Sequence, residues 1–167
     1  GAERVHWMLW TTQRVETFEG AWQVVQTYRY RWTIEEVHLI LKSAFRVEQL
    51  QLESVDRIQK ALAMYLPMAV RLFSLKQLAV HEPQAPCTQV LSEEEWQTLW
   101  LLTHRQVPTA QTPVPTIRQV SQWIGQLGGH LGRKRDGLPG VRTLWKGWRD
   151  LLLMTYAIRV HKQVLRS

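Results

Sequence analysis

Polar and apolar residues alternate at the start of the chain. The run ERVHWMLWTT, rich in Val, Trp and Thr, reads as a strand over about residues 4–11. Beyond it the period lengthens. A helical pattern runs from about Glu16 to Lys42. A second begins at Ser54, a candidate N-cap, and reaches about Val80 with Pro67 inside it, where a kink is expected. HEPQAPCTQVL, with two prolines, is a linker. SEEEW predicts a capping box in which Ser92 caps and Glu95 answers three residues on, opening a helix to about Thr103. RQVPTAQTPVPT is a Pro/Thr loop, and a further helix runs from about Thr116 to Leu127, ending at Gly128 and Gly129. GGHLGRKRDGLPG has too many glycines for a helix and reads as a basic loop. A last amphipathic helix spans about Val141 to Leu165.

This pattern is mainly α, with one convincing strand. A lone apolar strand has no ladder partner, which predicts that the chain is part of a longer protein. The 167 residues, 45% of them hydrophobic, suffice for a core. Cys87 is the single cysteine, so no internal disulfide and no Cys-based metal site is expected, and a reducing, cytoplasmic compartment is. No N-terminal stretch has a signal-peptide pattern, and no apolar run approaches the ~20 residues of a membrane span. Nine tryptophans suit core packing, and they are also good stacking surfaces for bases.

Charge changes the picture more. The net charge is +7, yet through Gly132 the chain holds 12 basic and 12 acidic side chains. From Arg133 to Ser167 it holds 9 basic and 2 acidic ones, so the whole excess lies there. A basic face of this kind points to nucleic acid, less often to an anionic membrane. For Arg159, Lys162 and Arg166 a simply solvated helix end stays open.

YRYRWTIEEVHLILK, residues 28–42, concentrates chemistry in one line. A helix turns 100° per residue, so Tyr28, Arg31, Glu35 and Lys42, at offsets of 0, 3, 7 and 14, fall within about 60° of one another. Two readings are open. One is a salt-bridged outer face, worth a few tenths of a kcal/mol per pair. The other is a phosphodiester site, in which two divalent metals need several carboxylates and donors for the flanking phosphates. Glu35 would then be one carboxylate, Arg31 and Lys42 phosphate clamps, and Tyr28 a donor to a phosphate oxygen. The histidines lack paired zinc spacing, and no G-x-S-x-G or P-loop pattern is present.

The spacing Tyr-x-x-Arg-x-x-x-Glu-x-x-x-x-x-x-Lys resembles the YREK motif of bacterial cut-and-paste insertion-sequence transposases. WMLWTT, starting at Trp7, stands 21 residues before Tyr28, and LGGHLGRKRDGLPGVRTLWKGW is similar to the family's C-terminal domain, so the resemblance covers nearly the whole chain. It implies the last strand and catalytic helix of an RNase-H-like α/β domain over residues 1–53. An all-helical domain for DNA contact and dimerisation then follows over residues 54–167. It also implies a DDE triad whose third carboxylate is Glu35, a ligand of Mg²⁺ or Mn²⁺, with Tyr28, Arg31 and Lys42 on phosphates. Trp7 matches a tryptophan that stacks on a base flipped out at the transposon end. The loop residues Arg133, Lys134 and Arg135 match a segment that touches end DNA, and Arg142 and Lys146 extend it onto the next helix.

An apolar face of that helix, Leu144, Trp148, Leu152 and Tyr156, needs cover, which with the family's paired protomers predicts a homodimer. The expected partner is double-stranded DNA at transposon ends. Two departures stand out. Gln51 occupies the place of a DNA-contacting arginine, and the aspartates present, Asp56, Asp136 and Asp150, all follow the motif and cannot serve as the two upstream catalytic ones. The chain alone is therefore expected to be inactive. The alternative is a non-catalytic helical dimerisation or DNA-binding module, like a truncated inhibitor.

Overall fold

The structure, a computed structural model, describes residues 6–133 and 135–165. It divides between His38 and Leu39 into two units. In the first, residues 6–16 form neither helix nor strand. The strand expected over 4–11 is thus absent from residue 6 onward, and residues 4 and 5 lie outside the described residues. Strand backbone is satisfied by a neighbouring strand, and the described residues offer none. Trp7 and Trp10 remain 70% and 91% exposed.

Helix α1, Phe18–Arg29, is capped by Thr17, whose Oγ1 accepts from the Gly20 N–H at 3.1 Å. The single helix expected from Glu16 to Lys42 is in fact two. At Tyr30 the N–H donates to Thr27 O at 3.1 Å, and Tyr30 O accepts from the Thr33 N–H at 3.0 Å. These three-residue bonds tighten the chain and interrupt the four-residue ladder. Helix α2, Arg31–Ser43, follows.

The second unit is a helical core. Helix α3, Val55–His81, starts at Ser54, which accepts from the Arg57 N–H at 3.4 Å, and it continues through Pro67 without a break. Only its second half is buried, through Ala69, Leu72, Leu75 and Ala79. Helix α4, Glu93–His104, opens on the Ser92/Glu95 capping box, and α5, Ile117–Leu127, on a second box from Thr116 and Gln119. The linker between α3 and α4 is pinned to the start of α5: the Cys87 N–H donates to Pro115 O at 2.9 Å and the Ile117 N–H to Ala85 O at 2.8 Å. Burial pushes the Cys87 thiol up to about 11, so it is inert.

Helix α6, Val141–Val164, lies against α5 with almost no space between. A Cβ on Gly147 would stand 1.8 Å from Ile124 O, and one on Gly128 2.0 Å from Thr143 O. Glycine at both positions is what lets the backbones meet. Leu72, Leu75, Leu99, Ile124, Leu144, Trp148 and Leu151 fill the core. This corrects the expected pairing face. Leu144 and Trp148 are spent inside the chain's own core, because the burying stripe of α6 is set by the packing of α5 and α4. No helix among the described residues is long and apolar enough to cross a membrane.

Candidate functional site

The tyrosine, arginine and glutamate of the sequence stripe come together, though not as one helix. Tyr28 ends α1, and Arg31 and Glu35 lie on α2. The Arg31 guanidinium bridges back across the Tyr30 turn, 5.3 Å from the Tyr28 ring centroid and 5.2 Å from that of Trp32. Its Nη1 pairs with the Glu35 carboxylate one turn on, with both side chains half exposed. The result is a carboxylate held by one guanidinium that is itself seated on two aromatic faces. In the second unit, Lys42 reaches Glu48 at 2.8 Å.

A carboxylate alone does not make a metal centre. Among the described residues no group of three or more His, Cys, Asp or Glu side chains is placed to hold an ion. The donors present therefore do not fit a metal site by themselves. Trp7 stands exposed, and a cleft of about 180 Å³ nearby is lined by Leu9, Trp10, Thr11, Gln13, Val24, Thr27 and Tyr28.

At the other end of the chain, Asp136 closes the basic loop. Its Oδ2 accepts from the Arg133 N–H, and its own N–H donates to Arg133 O, both at 2.9 Å. Arg133 and Arg135 are left exposed, and Lys134 lies outside the described residues. Along α6, Arg142, Lys146, Arg149, Leu153, Tyr156 and Val160 recur every three or four residues, and all are exposed. One face of the helix is thus basic for its first turns and apolar afterwards. Leu152 is half-buried, and Tyr156 is 64% exposed. The extension of this face through Arg149, Leu153 and Val160 went unread in the sequence, although the spacing from Arg142 carries it.

Residues 67–164 match the family model of the transposase Tn5 dimerisation domain, and residues 1–70 that of the transposase DDE domain. The chain belongs to the DDE-class insertion-sequence transposases. The DDE match carries Trp7, Tyr28, Arg31, Glu35 and Lys42 of this transposase chain, and the dimerisation match carries the basic loop and α6. A DDE domain implies an RNase-H-like fold, while the described residues themselves are mainly helical and hold no strand.

Proposed function

We propose that this chain supplies the glutamate arm, the end-DNA contacts and the pairing surface of a DNA transposase. The observation that carries the reading is the Arg31–Glu35 pair beside Tyr28, inside the segment that matches a DDE domain. Glu35 is the third catalytic carboxylate. Arg31 fixes its direction with one N–H and keeps others for a phosphate oxygen, since a guanidinium carries five donors in a rigid fork. Lys42 and the Tyr28 hydroxyl add donors along the DNA backbone, and Trp7 offers a free face for an unstacked base.

DDE transposases use a divalent metal, here Mg²⁺ or Mn²⁺. Two-metal chemistry needs several carboxylates, so no catalytic step is assigned to this chain alone. By itself it acts as a non-catalytic dimerisation and DNA-binding module, a reading supported by the dimerisation-domain match over residues 67–164. Arg133, Arg135, Arg142 and Lys146 contact phosphates, and the apolar end of the α6 face meets a second copy. The test is Glu35→Gln in the complete transposase that provides both aspartates. Strand cleavage should vanish with end binding intact, because a metal ligand rather than a phosphate donor is lost. Persistent cleavage would remove Glu35 from the site, and cleavage by the 167-residue chain with Mn²⁺ would show that its own residues complete one.

A further inference from the structure

A groove of about 430 Å³ lies between the first turns of α4, the Val107–Pro108 loop and the last third of α6. Such a volume suits a small ligand or a few side chains. Its floor is polar and closed: Thr98 and Thr155 are both buried there. Its apolar wall is Val107 and Ile158. Arg159 is not the solvated helix end its sequence position allows, because its Nε donates to Glu94 Oε2 at 2.9 Å and the two charges cancel. Lys162, one turn further along the same helix, lines the groove and has no carboxylate partner among the described residues. That leaves one unanswered positive charge.

The charges around it decide the class of ligand. With Arg159 cancelled by Glu94, Lys162 is the one net charge of the groove lining, too little to draw a duplex with a charge every ~1.7 Å. A single carboxylate fits instead. Gln97 donates its Nε2 to Glu93 Oε1 at 3.0 Å and keeps a carbonyl free, and the Gln163 side chain makes no hydrogen bond among the described residues. The two amides face the groove from opposite helices.

We propose that this groove binds an extended peptide segment of a protein partner that presents one carboxylate beside an aliphatic side chain. The carboxylate meets Lys162, the aliphatic group lies on Val107 and Ile158, and the peptide main chain bonds Gln97 and Gln163. This site is independent of the DNA-contacting and catalytic reading.

The probe is acetyl-Leu-Glu-Leu-amide, titrated into the isotope-labelled chain and followed by NMR, with acetyl-Leu-Gln-Leu-amide as its uncharged twin. Shifts should cluster at Thr98, Val107, Ile158 and Gln163. The twin should bind about tenfold more weakly, the value of one charge-assisted hydrogen bond. Lys162→Glu and Val107→Asp, both at exposed positions, should each abolish the shifts while leaving the rest of the spectrum in place, and Arg133→Ala should not abolish them. No shift at millimolar peptide, equal binding of the two peptides, or the same residues responding to duplex DNA would each overturn the proposal.

Discussion

Arg71 and Glu95 form an ion pair inside the helical unit, Nη2 to Oε2 at 2.7 Å, with the glutamate side chain 7% exposed. The same guanidinium donates to Val90 O at 2.8 Å and lies 5.0 Å from the centroid of the Trp148 ring. Glu95 Oε2 also accepts from the Ser92 N–H at 2.6 Å. One carboxylate therefore caps α4 and ties it to α3, with α6 stacked on the guanidinium. Arg71→Met strands that carboxylate without its counter-charge, a loss of about 3–5 kcal/mol for a broken buried pair. Adding Glu95→Gln to it should recover part of the loss in urea unfolding. Additive losses would mean that the two residues do not act as a pair.

Acid should reveal the same contact. Burial pushes the Glu95 carboxyl up, but hydrogen bonds from Arg71 and the Ser92 backbone, with the Arg71 charge, outweigh it and hold it below the ordinary 4.5. The unfolded chain then takes up the proton at a higher pH than the folded one. Stability from Glu95 is fully present above about 4.5 and is lost as pH falls through the lower folded value. In Glu95→Gln the urea midpoint should fall less steeply over that acid range than in the unsubstituted protein. Parallel acid limbs would assign the decline to other carboxylates.

Gly147→Ala tests the helix crossing. The added methyl meets backbone, Ile124 O at 1.8 Å and Gly128 N at 2.8 Å, so α5 and α6 must separate. Overpacking of this kind costs about 1–3 kcal/mol, and the rigid neighbours place it at the upper end. Gly140→Ala is the control: its Cβ meets nothing within 4 Å, so only the poorer N-cap of α6 is felt, at about 0.5–1 kcal/mol. Equal melting temperatures for the two variants would show that the helices yield freely.

What could be read from the sequence was local. Ser54, and Ser92 with Glu95, announced their helix starts because a cap is made within four residues. The α6 period was visible, but which stripe it buries depends on α4 and α5, so Trp148 passed for a surface residue. The turn at Tyr30 left no Gly or Pro to mark it. Yet the Arg31 and Glu35 pairing survived, since both lie on one side of that turn. The strand expected over 4–11 is absent from residue 6 onward for a non-local reason, since a ladder requires a neighbouring strand and the described residues offer none.

Pairing should run through the exposed end of α6. Leu153 and Tyr156 are each 64% exposed and follow one another on one face. Leu153→Glu with Val160→Glu should shift the sedimentation of the chain from dimer to monomer and leave its melting temperature nearly unchanged. Trp148→Ala should do the opposite, costing about 3–5 kcal/mol of stability through a cavity in the core. If the unsubstituted chain sediments as a monomer at high micromolar concentration, α6 is not a pairing surface.

The proposed DNA contacts make a prediction about salt. If about three to five phosphates are neutralised, log K should fall with log salt at a slope of roughly −3 to −4.5. Replacing Arg133, Lys134 and Arg135 with Ala should flatten that slope by up to about 2 to 3 units, because each lost phosphate contact releases one fewer counterion. The loop suits this role: Gly132 and Gly137 take φ of 64° and 65° on either side of it, conformations that side-chain-bearing residues resist. Arg142→Ala with Lys146→Ala should flatten the slope by up to about 2 units more. Arg159→Ala should change it least, since Glu94 already neutralises that guanidinium. Trp7→Ala should leave duplex binding alone and weaken only DNA with an unstacked base, by about 1–3 kcal/mol. Binding titrations over a salt series measure all of these. A slope unmoved by the triple loop substitution would assign the basic tail to another partner, whatever the absolute affinity.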